Sequence, residues 1–316
     1  MEKMPVERSA SGKVILCGEH SVVYGRPAIA VPISDMRAYA SVEPAPAAAG
    51  LHIVAADLRQ ETLLHDAPPD HPLGKTARLV LDHLGVPEPD AVLTVRSDLA
   101  IGSGMGSGAA ITVAAIRALS AFLGTELPPE RVSALTYEVE KIHHGTPSGI
   151  DNTVIAWERP VYFVKGGPPE TFSIAVPFSL LIAYSGITSS TREAVAEVRR
   201  RWLASPDYYD MVFNCVGAIS RAARAAIEQG ALQALGTLLN ENHGLLSRIG
   251  VSLPQLDAMV NAAREAGALG AKLTGSGQGG NIIALVKAAD IDAVEKALWR
   301  AGATKIWRTH VEASQA

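Results

Sequence analysis

The spacing of apolar residues changes period several times along the chain, and each change predicts an element. The first third carries short strand-like runs: Gly12-Lys-Val-Ile-Leu-Cys17, Ala28-Ile-Ala-Val-Pro-Ile33 and Arg37-Ala-Tyr-Ala-Ser-Val-Glu43. Pro44 to Gly50 reads as a Pro/Ala-rich surface loop. Helical spacing follows over His71 to Gly85, strand-like alternation over Ala91-Val-Leu-Thr-Val-Arg96, and helical spacing again from Ile111 to Leu123. Pro128 to His144 is a further helix, because Pro and Glu both suit a first turn; it stops near Gly145-Thr-Pro147. Val161 to Lys165 is a strand, closed by Gly166-Gly167-Pro168-Pro169, a cluster that marks a boundary. Phe178 to Tyr184 is a strand, helices run on to about Gly267, and a glycine cluster at 275–280 precedes the apolar run Asn281 to Val286. Ile291 to Trp299 is helical and Thr304 to Val311 a last strand. No repeat of 20–50 residues is visible, so a repeat array is excluded. The pattern predicts an α+β protein.

One segment predicts chemistry. Asp98-Leu-Ala-Ile-Gly102-Ser103-Gly104-Met105-Gly106-Ser107-Gly108-Ala109-Ala110 lies between a strand and an apolar helix. Glycines let backbone approach an anion closely, and the following helix offers unpaired N–H groups at its positive end. Two stretches fit dinucleotide spacing, Gly104 to Ala109 and Gly275 to Gly280. That fold needs strand, loop and helix, then an acidic residue about 20 positions on at the next strand end. Gly280 runs into a strand-like segment, and Glu126 sits in a Pro-rich loop, so neither stretch meets the requirement. The GxxxxGK[ST] phosphate loop is absent: Gly12-Lys13 has no glycine five residues before it and no Ser/Thr after.

Composition narrows the class. With 316 residues, 48% hydrophobic and 19% charged, the chain can bury a substantial core. A net charge of −4 without a long basic run argues against nucleic acid or an anionic membrane as partner. Arg199-Arg200-Arg201 reads as a solvated helix end. No apolar stretch reaches the ~18 residues of a membrane span. Residues Met1 to Ser9 lack the apolar core of a signal peptide, and the two cysteines, Cys17 and Cys215, form no CxxC pair, so a cytoplasmic, disulfide-free protein without zinc is expected.

Three glycine-bearing motifs in fixed order decide which phosphate chemistry is expected. They are Gly12-Lys13-Val-Ile-Leu-Cys-Gly18-Glu19-His20-Ser-Val-Val-Tyr-Gly25, the loop at 102–110, and Lys272-Leu-Thr-Gly275-Ser276-Gly277-Gln-Gly-Gly280. Together they resemble the small-molecule kinase superfamily of galactokinase, homoserine kinase, mevalonate kinase and phosphomevalonate kinase, over nearly the whole chain. The mevalonate kinase branch is the most similar. Its KVILFGEHAVVxG matches residues 13–25, and its Glu…His-Gly-x-Pro-Ser-Gly-x-Asp-Asn matches Glu140 to Asn152. Its Asn-Thr-Arg is similar to Ser190-Thr191-Arg192, and Asn242-His243 to Ser252 also has a counterpart. One position departs: the family loop reads Gly-Leu-Gly-Ser-Ser-Ala-Ala, and its second serine, which helps hold Mg²⁺, is Gly108 here.

The resemblance implies a two-domain fold with its active site in the cleft between domains, 1–170 binding nucleotide and 171–316 forming a C-terminal domain whose last strand returns near the junction. It implies ATP- and Mg²⁺-dependent phosphorylation of the primary hydroxyl of mevalonate, by a homodimer. Asp151 would be base or orienting charge beside the hydroxyl, with Lys13 next to it. Gly102 to Ala109 would cradle the triphosphate, and Glu140 with Ser107 would hold the metal. Glu19, His20 and Thr191 would bind the acceptor, and Gly275, Ser276 and Gly277 would support the site. His143, His144, Cys17 and Cys215 receive no role. The rivals are a sister kinase acting on phosphomevalonate, a sugar or homoserine; the related decarboxylase of a diphosphorylated mevalonate; and a non-catalytic protein on the same fold, which would be expected to lack Lys13 or Asp151.

Overall fold

A computed structural model describes residues 4–99, 104–144 and 147–313. The chain divides into two compact units, each built from separated stretches. The first comprises Met1–Gly12, Met36–Ile101 and Gly106–Glu158; the second comprises Lys13–Asp35, Gly102–Met105 and Arg159–Ala316. Two long strands, β1 (Val6–Cys17) and β2 (Ala28–Pro44), pass from one unit to the other.

In the first unit, β3 (Leu51–Ala55) pairs antiparallel with β4 (Gln60–Leu63) and parallel with β5 (Ala91–Ser97). The second half of β2 completes this part of the sheet, with Ala38 opposite Ser97 and Pro44 opposite Ala91. Four helices pack together in this unit: α1 (Pro72–Leu84), α2 (Ser107–Phe122), α3 (Pro129–His144) and α4 (Ile150–Trp157). α2 is apolar nearly all round because it is buried nearly all round, from Ala109 to Phe122.

The short α4 is pinned at its end. Glu158, at φ 48, takes the left-handed position after it. Its carboxylate accepts from Arg37 Nη2 (2.9 Å), Arg117 Nη1 (2.8 Å) and the Ser11 N–H (3.2 Å). Arg117 also donates to the carbonyls of Ser9 (2.9 Å) and Ala156 (2.8 Å), so β1, β2, α2 and α4 meet on one carboxylate.

In the second unit, the start of β2 pairs with β6 (Val161–Phe163), Ala28 opposite Phe163, and β6 pairs with β7 (Glu170–Thr171). A separate antiparallel sheet contains β8 (Phe178–Tyr184), accompanied by α5 (Thr191–Ala204), α6 (Pro206–Glu228), α7 (Leu232–Arg248) and α8 (Pro254–Glu265). Its other strands are β9 (Gly270–Thr274), β10 (Asn281–Val286) and, beyond α9 (Ile291–Arg300), β11 (Lys305–Val311). The strand order is β11-β8-β10-β9. β10 is buried at every position, which is why it reads as a continuous apolar run and not an alternation. Phe213, Met259, Leu273 and Ile282 stand at the centre of this core. Among the described residues no helix is long and apolar enough to cross a membrane.

α7 approaches β9 more closely than side chains allow. A Cβ on Gly236 would stand 2.3 Å from the Leu269 carbonyl oxygen, and one on Gly270 2.0 Å from that of Gly236. Neither obstacle is a movable side chain. Gly236→Ala is therefore expected to destabilise the protein by about 2 kcal/mol or more, read as a lower urea midpoint; an unchanged midpoint would refute this contact.

Candidate active site

The glycine-rich loop hands over to α2 through glycines at positive φ. Gly104 (φ 76) and Gly106 (φ 75) occupy the left-handed region, and Gly106 is the residue from which α2 starts. The Ala110 N–H closes the first turn on the Gly106 carbonyl (2.8 Å), so the N–H groups of Ser107, Gly108 and Ala109 face away from the helix ladder. Gly102 and Ser103 lie outside the described residues.

In the first unit, the start of α2 meets α3 at Glu140. Glu140 is 4% exposed, and a Cβ on Gly108 would lie 3.7 Å from its Oε1. A carboxylate thus borders the positive end of a helix whose N–H groups can take phosphate. Mg²⁺ uses one or two carboxylates together with phosphate oxygens and waters, and this pairing suits it. No cluster of three or more acidic, His or Cys side chains occurs among the described residues, so a site built from protein ligands alone is not indicated there. Ser107, buried at the first position of α2, donates to the Leu99 carbonyl at 3.4 Å.

Asp151 is the second residue of α4, a helix the sequence pattern did not reveal. It follows Gly149 (φ 93), and the Thr153 hydroxyl donates to the Gly149 carbonyl (2.6 Å). Asn152 donates to the carbonyl (3.2 Å) and hydroxyl (2.9 Å) of Ser133, tying this turn to α3.

The second unit gathers the other motif residues. The Lys13 N–H donates to the Met105 carbonyl (3.0 Å), and both residues are buried. Gly275 (φ 88) comes against Gly104: a Cβ there would lie 4.0 Å from the Gly104 Cα. The Thr274 hydroxyl donates to the Ile15 carbonyl (2.9 Å) and accepts from the Ile15 N–H (3.2 Å). His20, at φ 60 and ψ −48, donates from Nε2 to the Ser276 carbonyl (2.8 Å). Ser276 Oγ lies 3.3 Å from Thr191 Oγ1 at the start of α5, where Ser190 accepts from the Glu193 N–H (3.3 Å) as N-cap. Gly18 makes the turn possible, since a Cβ there would stand 2.4 Å from Ala28.

Glu19 occupies a different setting from its neighbours. Its side chain is 1% exposed and that of Lys272 is 0% exposed, and Lys272 Nζ donates to Glu19 Oε1. Asn242 Nδ2 donates to the other carboxylate oxygen (3.2 Å). Removing one member of such a pair leaves a buried charge uncompensated, at a cost of about 3–5 kcal/mol. Burial pushes the neighbouring Cys17 thiol up to about 12, Lys272 opposing and Glu19 adding, which makes it an inert core residue. Beside Asn242, His243 accepts the Leu273 N–H at Nδ1 (3.3 Å) and donates from Nε2 to Asp257 (3.1 Å), which also accepts from Ser252 (2.5 Å). Motif spacing did not indicate the partnership of Lys272 with Glu19. The available signal was a lysine inside an apolar strand segment, since lysines are almost never fully buried unless paired.

Residues 72–158 match the GHMP kinases N terminal domain and residues 223–304 the GHMP kinases C terminal domain. The mevalonate kinase of Thermococcus sibiricus is 38% identical over 301 residues, covering 89% of each chain. That of Pyrococcus horikoshii is 38% identical over 296 residues, covering 88% of this chain and 87% of the relative. The chain belongs to the mevalonate kinase family of GHMP kinases. A crystal structure in this family, L. major mevalonate kinase in complex with R-mevalonate, aligns with a TM-score of 0.85 at 33% identity, covering 98% of this chain and 97% of the other. The GHMP kinase fold accounts for the α+β pattern.

The two buried imidazoles give this family member an acid-sensitive interior. Burial lowers both from the ordinary 6.5; His243 falls to about 4, with Arg264 and Lys272 adding to the effect and Asp257 opposing it. Below pH 6.5 the unfolded chain takes up protons that the folded chain refuses, so this stability is present above 6.5 and lost as pH falls towards about 4. Urea titrations across that range should show a declining stability, with His243→Gln removing up to roughly 3 kcal/mol of the decline. A slope identical in wild type and variant would exclude His243 as its source.

Proposed function

We infer that this protein phosphorylates the primary hydroxyl of mevalonate with ATP to give 5-phosphomevalonate. The observation that carries this reading is membership of the mevalonate kinase family over nearly the whole chain, with both Lys13 and Asp151 present.

Transfer of a phosphoryl group requires in-line positioning and neutralisation of charge, with little covalent work. The backbone from Gly102 to Ala109 holds the triphosphate, with the N–H groups that open α2 directed at its oxygens. Lys13 offsets charge on the transferring group, and Asp151 orients the attacking hydroxyl and takes its proton. His20 and Thr191 bind the acceptor, with Glu19 behind them and Gly275 to Gly277 as the supporting loop. Mg²⁺ would neutralise phosphate charge when bound, held by Glu140 and Ser107. The suitability of Glu140 rests on its place beside Gly108 at the start of α2. Residues 1–170 bind the nucleotide and 171–316 form a C-terminal domain; the protein acts in the cytoplasm, with a homodimer as the assembly to test by sedimentation.

ADP release assayed against mevalonate, phosphomevalonate, galactose and homoserine tests the acceptor, and CO₂ release tests the decarboxylase alternative. Transfer to mevalonate is expected; transfer only to another acceptor would overturn the reading. Asp151→Ala should lower kcat by about 10²–10⁴-fold with ATP still bound, the range typical of a lost acid–base group. Near-normal turnover in that variant would remove Asp151 from the chemistry. Among the described residues Gly108→Ser meets no obstacle nearer than the Glu140 carboxylate at 3.7 Å. It should leave kcat intact or tighten the Mg²⁺ dependence and raise stability by about 0.5 kcal/mol; a large loss of activity would show that this loop works differently from its relatives.

A further inference from the structure

We propose that Lys272 is a positioning residue for the phosphoryl acceptor, acting through Glu19 on the strained turn that presents His20. The inference rests on the reading of His20 and Thr191 as acceptor-binding residues.

Three alternate residues of β9 and its continuation hold the first motif. Lys272 donates to the Glu19 carboxylate, Thr274 bridges the N–H and carbonyl of Ile15, and the Ser276 carbonyl accepts from His20. A strand repeats every second residue, so positions 272 and 274 share one face, and 276 continues the same spacing beyond the strand end. Thr191 joins the array through the Ser276 hydroxyl.

The turn held by this face is strained. His20 has φ 60, a region that non-glycine residues occupy at an energetic penalty and keep only when their surroundings enforce it. Enforcement comes from both sides. The Ser21 N–H donates to the Glu19 carbonyl (2.6 Å), and the Val22 N–H to the Gly18 carbonyl (3.1 Å). Ahead of His20, Glu19 is fixed at both carboxylate oxygens, by Lys272 on one and by Asn242 (3.2 Å) on the other. With its side chain 1% exposed and both oxygens occupied, Glu19 is built to hold the turn from behind. Lys272 is its only cationic partner among the described residues. Lys272 also donates to the Leu273 carbonyl (2.5 Å), which locks the ammonium in place. Loss of the charge would release Glu19, and with it the ring of His20.

Steady-state kinetics and thermal unfolding of Lys272→Met and of the double variant Glu19→Gln/Lys272→Met test this. Lys272→Met should lose about 10²-fold in kcat/KM for mevalonate, the scale of a misplacement near 1 Å, with the KM for ATP unchanged. The double variant orphans no charge, so it should regain most of the thermal midpoint lost by the single variant while its KM for mevalonate stays high. A purely structural pair would move the midpoint alone. Wild-type kcat and KM for mevalonate in the single variant, or in the double variant if the single one does not fold, would overturn the proposal. So would an equal rise in KM for ATP and for mevalonate. If the wild-type enzyme prefers another acceptor of the panel, the mevalonate assignment falls, and the same comparison made with that acceptor decides the role of Lys272.

Discussion

The second unit is organised around two opposite charges sealed from water, Glu19 and Lys272. Burying each alone would be prohibitive, and pairing them only partly offsets the loss of hydration. The remainder comes from neighbours that complete their hydrogen bonds: the Asn242 amide on the carboxylate and the Leu273 carbonyl on the ammonium. Those neighbours are in reach because α7 runs against β9 with glycine at the contact, Gly236 on one side and Gly270 on the other. A side chain at either position would separate the elements and withdraw Asn242 from Glu19. A backbone contact far along α7 thus determines whether a charge in the first motif is satisfied.

The start of α2 in the first unit depends on a different device. Glycines at positive φ turn the chain abruptly into α2, and the helix start is left without a capping side chain. Such a start is poor for an isolated helix and good for binding an anion. Burial along α2 and the carboxylate cluster of Glu158, Arg37 and Arg117 compensate by fixing the helix elsewhere. The same cluster fixes the end of α4, whose start carries Asp151, so α2 and the proposed base share one anchor within the first unit.

How much of this could be read from the sequence followed the range of the interaction. Glycine loops, N-terminal helix signals and apolar periods are local, and α1, α2, α3, β5, β8 and α9 lie close to where their patterns put them. The sequence pattern predicts two strands, 28–33 and 37–43, where β2 runs, because proline and polar residues interrupt it. It is continuous because its two halves pair with different partners, β6 and β5. The pattern does not reveal α4, because eight residues after a Pro-Ser-Gly turn carry too little periodicity to stand out. β3, β4 and β9 are likewise too short to stand out. The motif resemblance brought Lys13, Glu140 and Asp151 forward, yet it could not distinguish Glu19 from His20, adjacent buried residues with different partners. That distinction depends on Lys272, which is 253 residues away in sequence.

Gly108 shows how one departure from a family pattern is to be weighed physically. The position lies in the first turn of α2 with ordinary helical geometry, so glycine is not demanded by the backbone there, in contrast to Gly104 and Gly106. Nor is it demanded by space, since among the described residues a Cβ would meet only the Glu140 carboxylate, at van der Waals distance. What glycine removes, relative to the family's serine, is a hydroxyl between a helix N-terminus and the Glu140 carboxylate. In the proposed Mg²⁺ site the coordination would fall to Glu140, the buried Ser107, phosphate oxygens and water, a set richer in exchangeable ligands. Mg²⁺ ordinarily keeps several waters and gives them up reluctantly, so the exchange of one protein hydroxyl for water is among the milder changes such a site can undergo.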